Sequence, residues 1–311
     1  MAGSPDDPIT IDVMTQPSIS ERLRIAGKNN PLVKELRRAF HRGELSGEGD
    51  CAIEGVRIVE EAIRSGLKFR AVFFSQSAET RSNRVLPQIG SHVETLVLAD
   101  ALFSAAVPSE TPQGVAALVR MPQHDLEEIL RVAKDAVSSD KDSEQIRSSK
   151  SARRGTRPDT GRLFVTVVGL QDPGNLGTLI RSAEAFGAAG VILAGPNVSP
   201  FNSKVVRASA GSIFRVPVVR ADIAAVLAQV RKNGVRTIAT SSHKGTALHQ
   251  AKLSGPVAIF IGSEGGGIPR ELLGEMDEVV VIPHSERVES LNAGVAASII
   301  LYEAARQRNV Q

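Results

Sequence analysis

The chain has 311 residues, 42% of them hydrophobic and 23% charged, with a formal net charge of +3. That length allows two ordinary domains, each with its own core, and without a run of about 18 uncharged apolar residues a helical membrane span is not expected. The N-terminus, MAGSPDDPITIDV, shows no basic leader followed by an apolar stretch, and the single cysteine, Cys51, excludes an internal disulfide framework and a cysteine-built zinc site; a cytoplasmic protein is expected.

Residues 1–20, rich in Pro, Ser, Asp and Thr, read as a disordered lead-in. Asn30-Pro31 opens a short basic helix ending near Arg42. Between Arg22 and Arg42 lie seven Lys/Arg residues against one acid, Glu35, a cluster able to neutralise phosphates or simply to form a solvated helix face. Cys51 opens an apolar stretch as a small core residue. A helix with apolar positions Val56, Val59 and Ile63 follows, then a strand over Ala71–Ser75, a helix or loop through Leu86, and a strand over Thr95–Ala99. The turn Thr111-Pro112-Gln113-Gly114 leads into a strand over Val115–Val119. Residues 21–122 therefore predict a small α/β domain, with no Ser/His/Asp or metal-spaced cluster.

Residues 123–161 predict a helix, capped by Asp125 with Glu128 three residues on and running over Leu126–Val137, followed by a flexible basic linker. From Leu163 the pattern turns regular. LFVTVVG, GVILAG, FRVPVV, VRTIATS, VAIFIG and EVVVIP alternate with helical segments, which indicates a mostly parallel sheet covered on both faces over 162–311. The last helix is expected from about Leu291 to Arg308.

Ligands of open α/β sheets bind at the carboxyl ends of strands, and three such loops stand out. In GLQDPGNLGTLIRSAEAFG, Gly174 and Gly177 would let the backbone approach a ligand, Asn175 can donate and accept, and Arg181 lies one turn into the helix. In Ile261–Pro269, Glu264 is a lone carboxylate among glycines, and Pro269 suits the first position of the next helix. A tight structural turn explains the same glycines. In Pro283–Asn292, Ser290 and Asn292 are either site residues or helix caps, and His284 is either a base or a solvated loop histidine.

GNLGTLIRSAEAFG, IGSEGGGIP and VESLNAGVAASIILYEAARQR, in that order, resemble the three motifs of the SpoU (TrmH-like) RNA ribose methyltransferases of the SPOUT superfamily. FNSKVVRASAGSIFRVPV resembles that family's second βα region. NNPLVKELRRAF and CAIEGVRIVEEAIRSG are similar, more loosely, to its small ribosomal-protein-like substrate-binding extension. Gly294 departs from the pattern, standing where a slightly larger small residue is common, and the linker around 138–160 is longer than usual. The resemblance implies a trefoil-knotted catalytic domain, a homodimer whose site draws on both subunits, and transfer of a methyl group from S-adenosylmethionine to a ribose 2′-hydroxyl without a metal. It implies RNA as partner, with rRNA favoured by the long N-terminal extension and a tRNA ribose as the alternative, and no membrane. Donor contacts carry over to Gly262, Ile282 and Leu291, with Thr240 and Ser241 nearby. At Gly262 the backbone would meet the adenine edge, so that any side chain intrudes on the donor. Arg181 is implied as the catalytic cation, oriented with the substrate by Asn175, Glu264, Ser290 and Asn292. An RNA-binding assembly factor with a vestigial donor site is the reading of another class. A dinucleotide oxidoreductase lacks its glycine fingerprint.

Overall fold

A computed structural model describes residues 23–131 and 162–308. The lead-in expected over 1–20, the linker over 138–161 and the end of the helix expected to reach Val137 lie outside these residues.

The first half forms a five-stranded sheet from β1 (Leu23–Ile25), β2 (Asp50–Glu54), β3 (Lys68–Ser75), β4 (Glu94–Leu98) and β5 (Val115–Arg120), in the order β1-β4-β3-β5-β2. Strand β5 runs antiparallel to β2 and β3; the other pairs are parallel. Its helices are α1 (Pro31–Arg42), α2 (Val56–Arg64), α3 (Glu79–Val85) and α4 (Asp100–Ala106). Helix α1 starts and stops where its sequence dictates. Asn30 accepts from the Leu32 amide at 2.9 Å, Pro31 needs no amide partner in the first turn, and Gly43 ends the helix at φ +62°. Strands β1 and β2 and helix α4 go beyond the sequence expectation. Strand β2 hides behind its terminal charges: Asp50 is fully buried and accepts from Arg70 (2.9 Å) and Arg120 (2.7 Å). Cys51 is the core residue expected; burial foremost, and then the neighbouring Asp50 charge, push its thiol up to about 12.

Residues 126–131 are helical, with Asp125 accepting from the Glu128 amide at 2.7 Å. Ile129 and Leu130 pack among Phe164, Ile192 and Val226, so this segment is clamped to the second sheet.

The second half is a seven-stranded sheet of β6 (Leu163–Val168), β7 (Gly190–Ala194), β8 (Val218–Ala221), β9 (Arg236–Ser241), β10 (Thr246–Ala247), β11 (Val257–Ile261) and β12 (Glu278–Val281). The order is β10-β12-β9-β11-β6-β7-β8 and every pairing is parallel. Alternation along the strands covers both faces. Leu163, Val165, Val167, Ile259 and Ile261 meet the helices α5 (Pro173–Ala185), α6 (Ser203–Ala208) and α9 (Ala293–Gln307) on one side. Phe164, Ala258 and Phe260 meet α7 (Ile223–Lys232) and α8 (Arg270–Leu273) on the other. Three expected boundaries move. The strand expected from Phe214 starts at Val218, because Ser212–Phe214 form a buried 3-10 turn and Pro217 has no amide to pair. Helix α9 starts at Ala293, after its cap Asn292. Pro269 is the cap of α8 and not its first residue.

The halves meet in a seam of α2, β2 and the loop after α1 against α6 and β8. Arg215 donates to Glu61 (3.1 Å) and Arg220 to Glu44 (2.8 Å) across it, and Arg207 to Ser109 (2.8 Å).

Candidate active site

The loops after β9, β11 and β12 and the start of α9 enclose a cavity of about 700 Å³ at the carboxyl ends of the strands, within the size range of cofactor sites, roughly 300–1,000 Å³. Of the residues expected there, Thr240, Ser241, Gly262, Glu264, Ile282, Ser290 and Leu291 line it. Arg181, Asn175 and Asn292 do not. Asn175 is tied to it from behind, donating from its side-chain amide to Glu264, and a Cβ on Gly294 would lie 3.3 Å from the amide oxygens of both Asn175 and Asn292. The glycine at 294 thus leaves room for both asparagines where α5 passes the start of α9. Asn292 also caps α9, accepting from the Val295 amide at 3.1 Å.

Arg181 is exposed on α5, three residues beyond Thr178, which also approaches Gly294, and so on the same helix face. No ion pair engages it among the described residues. Helix α5 is fixed by Asp172, which accepts from the Asn175 amide at 2.7 Å, and by Ser182, bonded to Ser298 of α9 at 2.7 Å.

Gly177 acts differently from expectation, and Gly262 carries a constraint that the sequence did not show. A Cβ on Gly177 would stand 2.4 Å from the Ala208 Cβ and 2.8 Å from the Val205 carbonyl. Gly177 therefore serves the close crossing of α5 over α6, not the approach of a ligand. A Cβ on Gly262 would stand 2.2 Å from the Gly267 carbonyl carbon and 2.5 Å from the Ile268 nitrogen. A side chain at Gly262 would thus meet the loop's own return, where Gly267 donates to the Ser263 carbonyl at 3.0 Å.

Several polar groups of the cavity are already engaged. The Thr240 hydroxyl donates to Phe260 O (3.1 Å), and the Ser241 oxygen accepts from the His243 and Lys244 amides (3.2 and 3.3 Å). His284 lines the cavity and shares a 2.7 Å hydrogen bond between Nδ1 and the Ile282 carbonyl. A carbonyl only accepts, so Nδ1 carries the proton and Nε2 of the neutral ring is an acceptor. Sequence reasoning missed His243, Arg270 and Glu289 as lining residues; the position of His243 just past a strand's carboxyl end is the signal that could have found it. Among the described residues no group of three or more His, Cys, Asp and Glu is placed to hold a metal ion.

The model of the SpoU rRNA Methylase family matches residues 162–302, and that of the MRM3-like substrate binding domain matches 30–117. An uncharacterized tRNA/rRNA methyltransferase of Synechocystis is 30% identical over 94% of this chain and 97% of its own length. The chain belongs to the SpoU family. The Bacillus subtilis 23S rRNA (guanosine(2553)-2′-O)-methyltransferase RlmP is 28% identical over 90% of this chain and 98% of its own. Among solved structures, the AdoMet-bound rRNA methyltransferase from Sinorhizobium meliloti superposes with a TM-score of 0.70 at 27% identity, covering 92% of this chain and 98% of that one. The family fits the geometry: all three motif loops reach one cavity or its rear wall.

Proposed function

We propose that this SpoU-family chain is an S-adenosylmethionine-dependent RNA methyltransferase acting on a ribose 2′-hydroxyl of rRNA. The observation that carries the reading is the cavity built from Gly262–Ile268, Ile282 and Ser290–Leu291, joined through Glu264 and Asn175 to the helix of Arg181. Its lining fits the donor. Glycine backbone and apolar side chains in the lining would suit a flat base, and the negative charge of Glu264 and Glu289 would suit a sulfonium cation. Gly262, Ile282 and Leu291 would hold the adenine, with Thr240 offering its oxygen only as an acceptor. When bound, the donor supplies a methyl group already activated on positive sulfur.

The protein must then place the hydroxyl in line and stabilise charge growing on its oxygen. Arg181 is permanently protonated and unpaired among the described residues, so it stabilises that oxygen and grips the adjacent phosphate. Asn175 holds Glu264. Ser290 and Asn292 orient the substrate at that helix end.

Two observations support a homodimer with shared sites. Arg181 lies outside the cavity lining of its own chain, and α9 leaves Val295, Ile299 and Tyr302 exposed on one face, with Tyr302 edge-on to Phe186 at 5.9 Å. Insertion of β11 between β6 and β9, both earlier in the chain, supports the knotted connection. Residues 21–122 are read as the RNA-binding domain and 162–311 as the catalytic one. No helix among the described residues is long and apolar enough to cross a membrane, and we place the protein in the cytoplasm.

Calorimetric titration with S-adenosylmethionine, combined with mapping of 2′-O-methyl groups on rRNA from cells with and without the gene, tests this. Saturable binding and the loss of one mark are expected. A chain that takes up no donor, or rRNA with an unchanged methylation map, overturns it.

A further inference from the structure

Charge on helix α1 is sorted by face. Val33, Leu36 and Ala39 are buried, and the helix's one acid, Glu35, turns inward to Arg70 at 2.8 Å. Lys34, Arg37, Arg38 and His41 point outward and line a groove of about 550 Å³, closed on its other side by Ala105–Pro108 at the end of α4. Among the described residues none of these four side chains has a carboxylate partner. Elsewhere in the domain Arg24, Arg64, Arg70, Arg84 and Arg120 are each paired with an acid. Other cations without such a partner among the described residues, such as Lys28, Arg42, Arg57 and Lys68, do not line this cleft; the groove is distinguished by gathering its four groups along one cleft.

Helix stability does not explain the arrangement. The first turn of α1 has no acid, and Lys34 follows it at once, where the helix dipole disfavours a cation. Only His41 and Arg42, in the last turn, gain from that dipole. The groove is also well placed. Gly43, which ends α1, packs against Asn202, the cap of α6, and α6 is the helix crossed by the Arg181-bearing α5 at Gly177. The carboxyl end of α1, next to His41, therefore adjoins the catalytic half of the molecule.

We propose that this groove is a docking site for the sugar–phosphate backbone of RNA, with Lys34, Arg37, Arg38 and His41 on phosphates and the half-buried Phe40 as an apolar floor. The inference rests on the RNA methyltransferase reading and assigns that function a specific surface.

The test uses the full chain, a fluorescein-labelled RNA hairpin titrated over a range of salt, and S-adenosylmethionine titrated by calorimetry. The variant Lys34→Ala/Arg37→Ala/Arg38→Ala is expected to bind the hairpin at least tenfold more weakly at roughly 0.1 M salt. Its log–log salt slope should fall by about 2, at roughly 0.7–0.9 per lost phosphate contact. Donor affinity should stay at the wild-type value, which shows the catalytic half intact, and an unchanged far-UV circular dichroism melt shows the altered domain folded. Lys34→Arg/Arg37→Lys/Arg38→Lys should retain RNA binding. Arg24→Ala/Lys68→Ala/Arg84→Ala removes the same charge elsewhere on the domain and should leave the slope in place. Equal losses in both alanine variants would reduce the effect to net charge and overturn the groove, as would wild-type hairpin binding by the first variant. A wild-type chain that binds RNA but no donor counts against the methyltransferase reading and not against the groove.

Discussion

Gly262→Ala tests how the donor loop is built. The added Cβ would sit 2.2 Å from the Gly267 carbonyl carbon, whereas ordinary contact begins at 3.4 Å, so the loop must open by 3.4 − 2.2 = 1.2 Å. The obstacle is backbone on every near side, and no flexible side chain can swing away. Overpacking of this kind costs about 1–3 kcal/mol. In a domain of this size each kcal/mol lowers Tm by roughly 2–4 °C. Opening the loop also displaces the Ser263–Gly267 bridge that shapes the cavity wall, so donor affinity should fall at least tenfold, about 1.4 kcal/mol. Thermal melts run beside calorimetric titrations read both effects. A variant with wild-type melting and weakened donor binding would show that the side chain collides with the donor and not with the loop. A variant unchanged in both would refute the clash itself.

Arg181→Ala should lower the single-turnover rate by about 10²–10³ while donor affinity holds; full activity would remove Arg181 from the chemistry. Gly177→Val should separate α5 from α6 and cost about 1–3 kcal/mol, measured by denaturant midpoint, with donor affinity falling through displacement of Asn175; an unchanged midpoint would refute the crossing argument. Glu303 is held down to about 2 mainly by hydrogen bonding from Arg306, and next by Gln307, against the desolvation that raises it. A depressed carboxylate contributes stability above its unfolded value near 4.5 that is lost as pH falls toward 2. Glu303→Gln should therefore flatten the acid-unfolding profile in that window, and an unaltered profile would show that the carboxylate contributes nothing there.

The second sheet was largely legible because its strands are buried on both faces, and uncharged runs such as VAIFIG leave little alternative to a parallel core strand. Strand β2 was not, because Asp50 and Glu54 read as loop until Arg70 and Arg120 supply the partners that let Asp50 be buried. Those partners stand 20 and 70 residues away, beyond the reach of any local pattern. Strand β10 is only two residues long and carries no period. The same limit applies to glycines. Composition marks Gly177 and Gly262 as places where a side chain is unwelcome, but only the folded backbone tells whether a helix, a loop or a ligand excludes it. Glu264, Ser290 and Leu291 were found through their motifs and Thr240 and Ser241 at a strand end, whereas His243 and Arg270 belong to no motif and Glu289, inside one, carries no capping or packing signal that marks it.

Helix α5 shows what this architecture does for the proposed reaction. A helix of 13 residues on a surface would fray at both ends. This one is held along its length: at its start by the Asp172 cap, then by the Gly177 crossing against Ala208, by Ser182 on Ser298, and near its end by Glu184. Glu184 is gripped by Arg215 through both carboxylate oxygens, and the same guanidinium donates to Glu61 and Ser65 of the first domain. Arg215 is about a third exposed, and each pair alone adds little to stability. Its value is geometric. It fixes the helix of Asn175 and Arg181 in register with the domain whose basic groove is read as the RNA seat, and gives both one shared reference point. Misplacement by about 1 Å can cost a reaction 10²-fold, so a substrate held on one domain and attacked on another needs such a rigid tie. The seam is accordingly tied by arginine–carboxylate pairs, the Arg220–Glu44 fork and the single Arg215–Glu61 bond, which set orientation, together with apolar packing, which sets only distance.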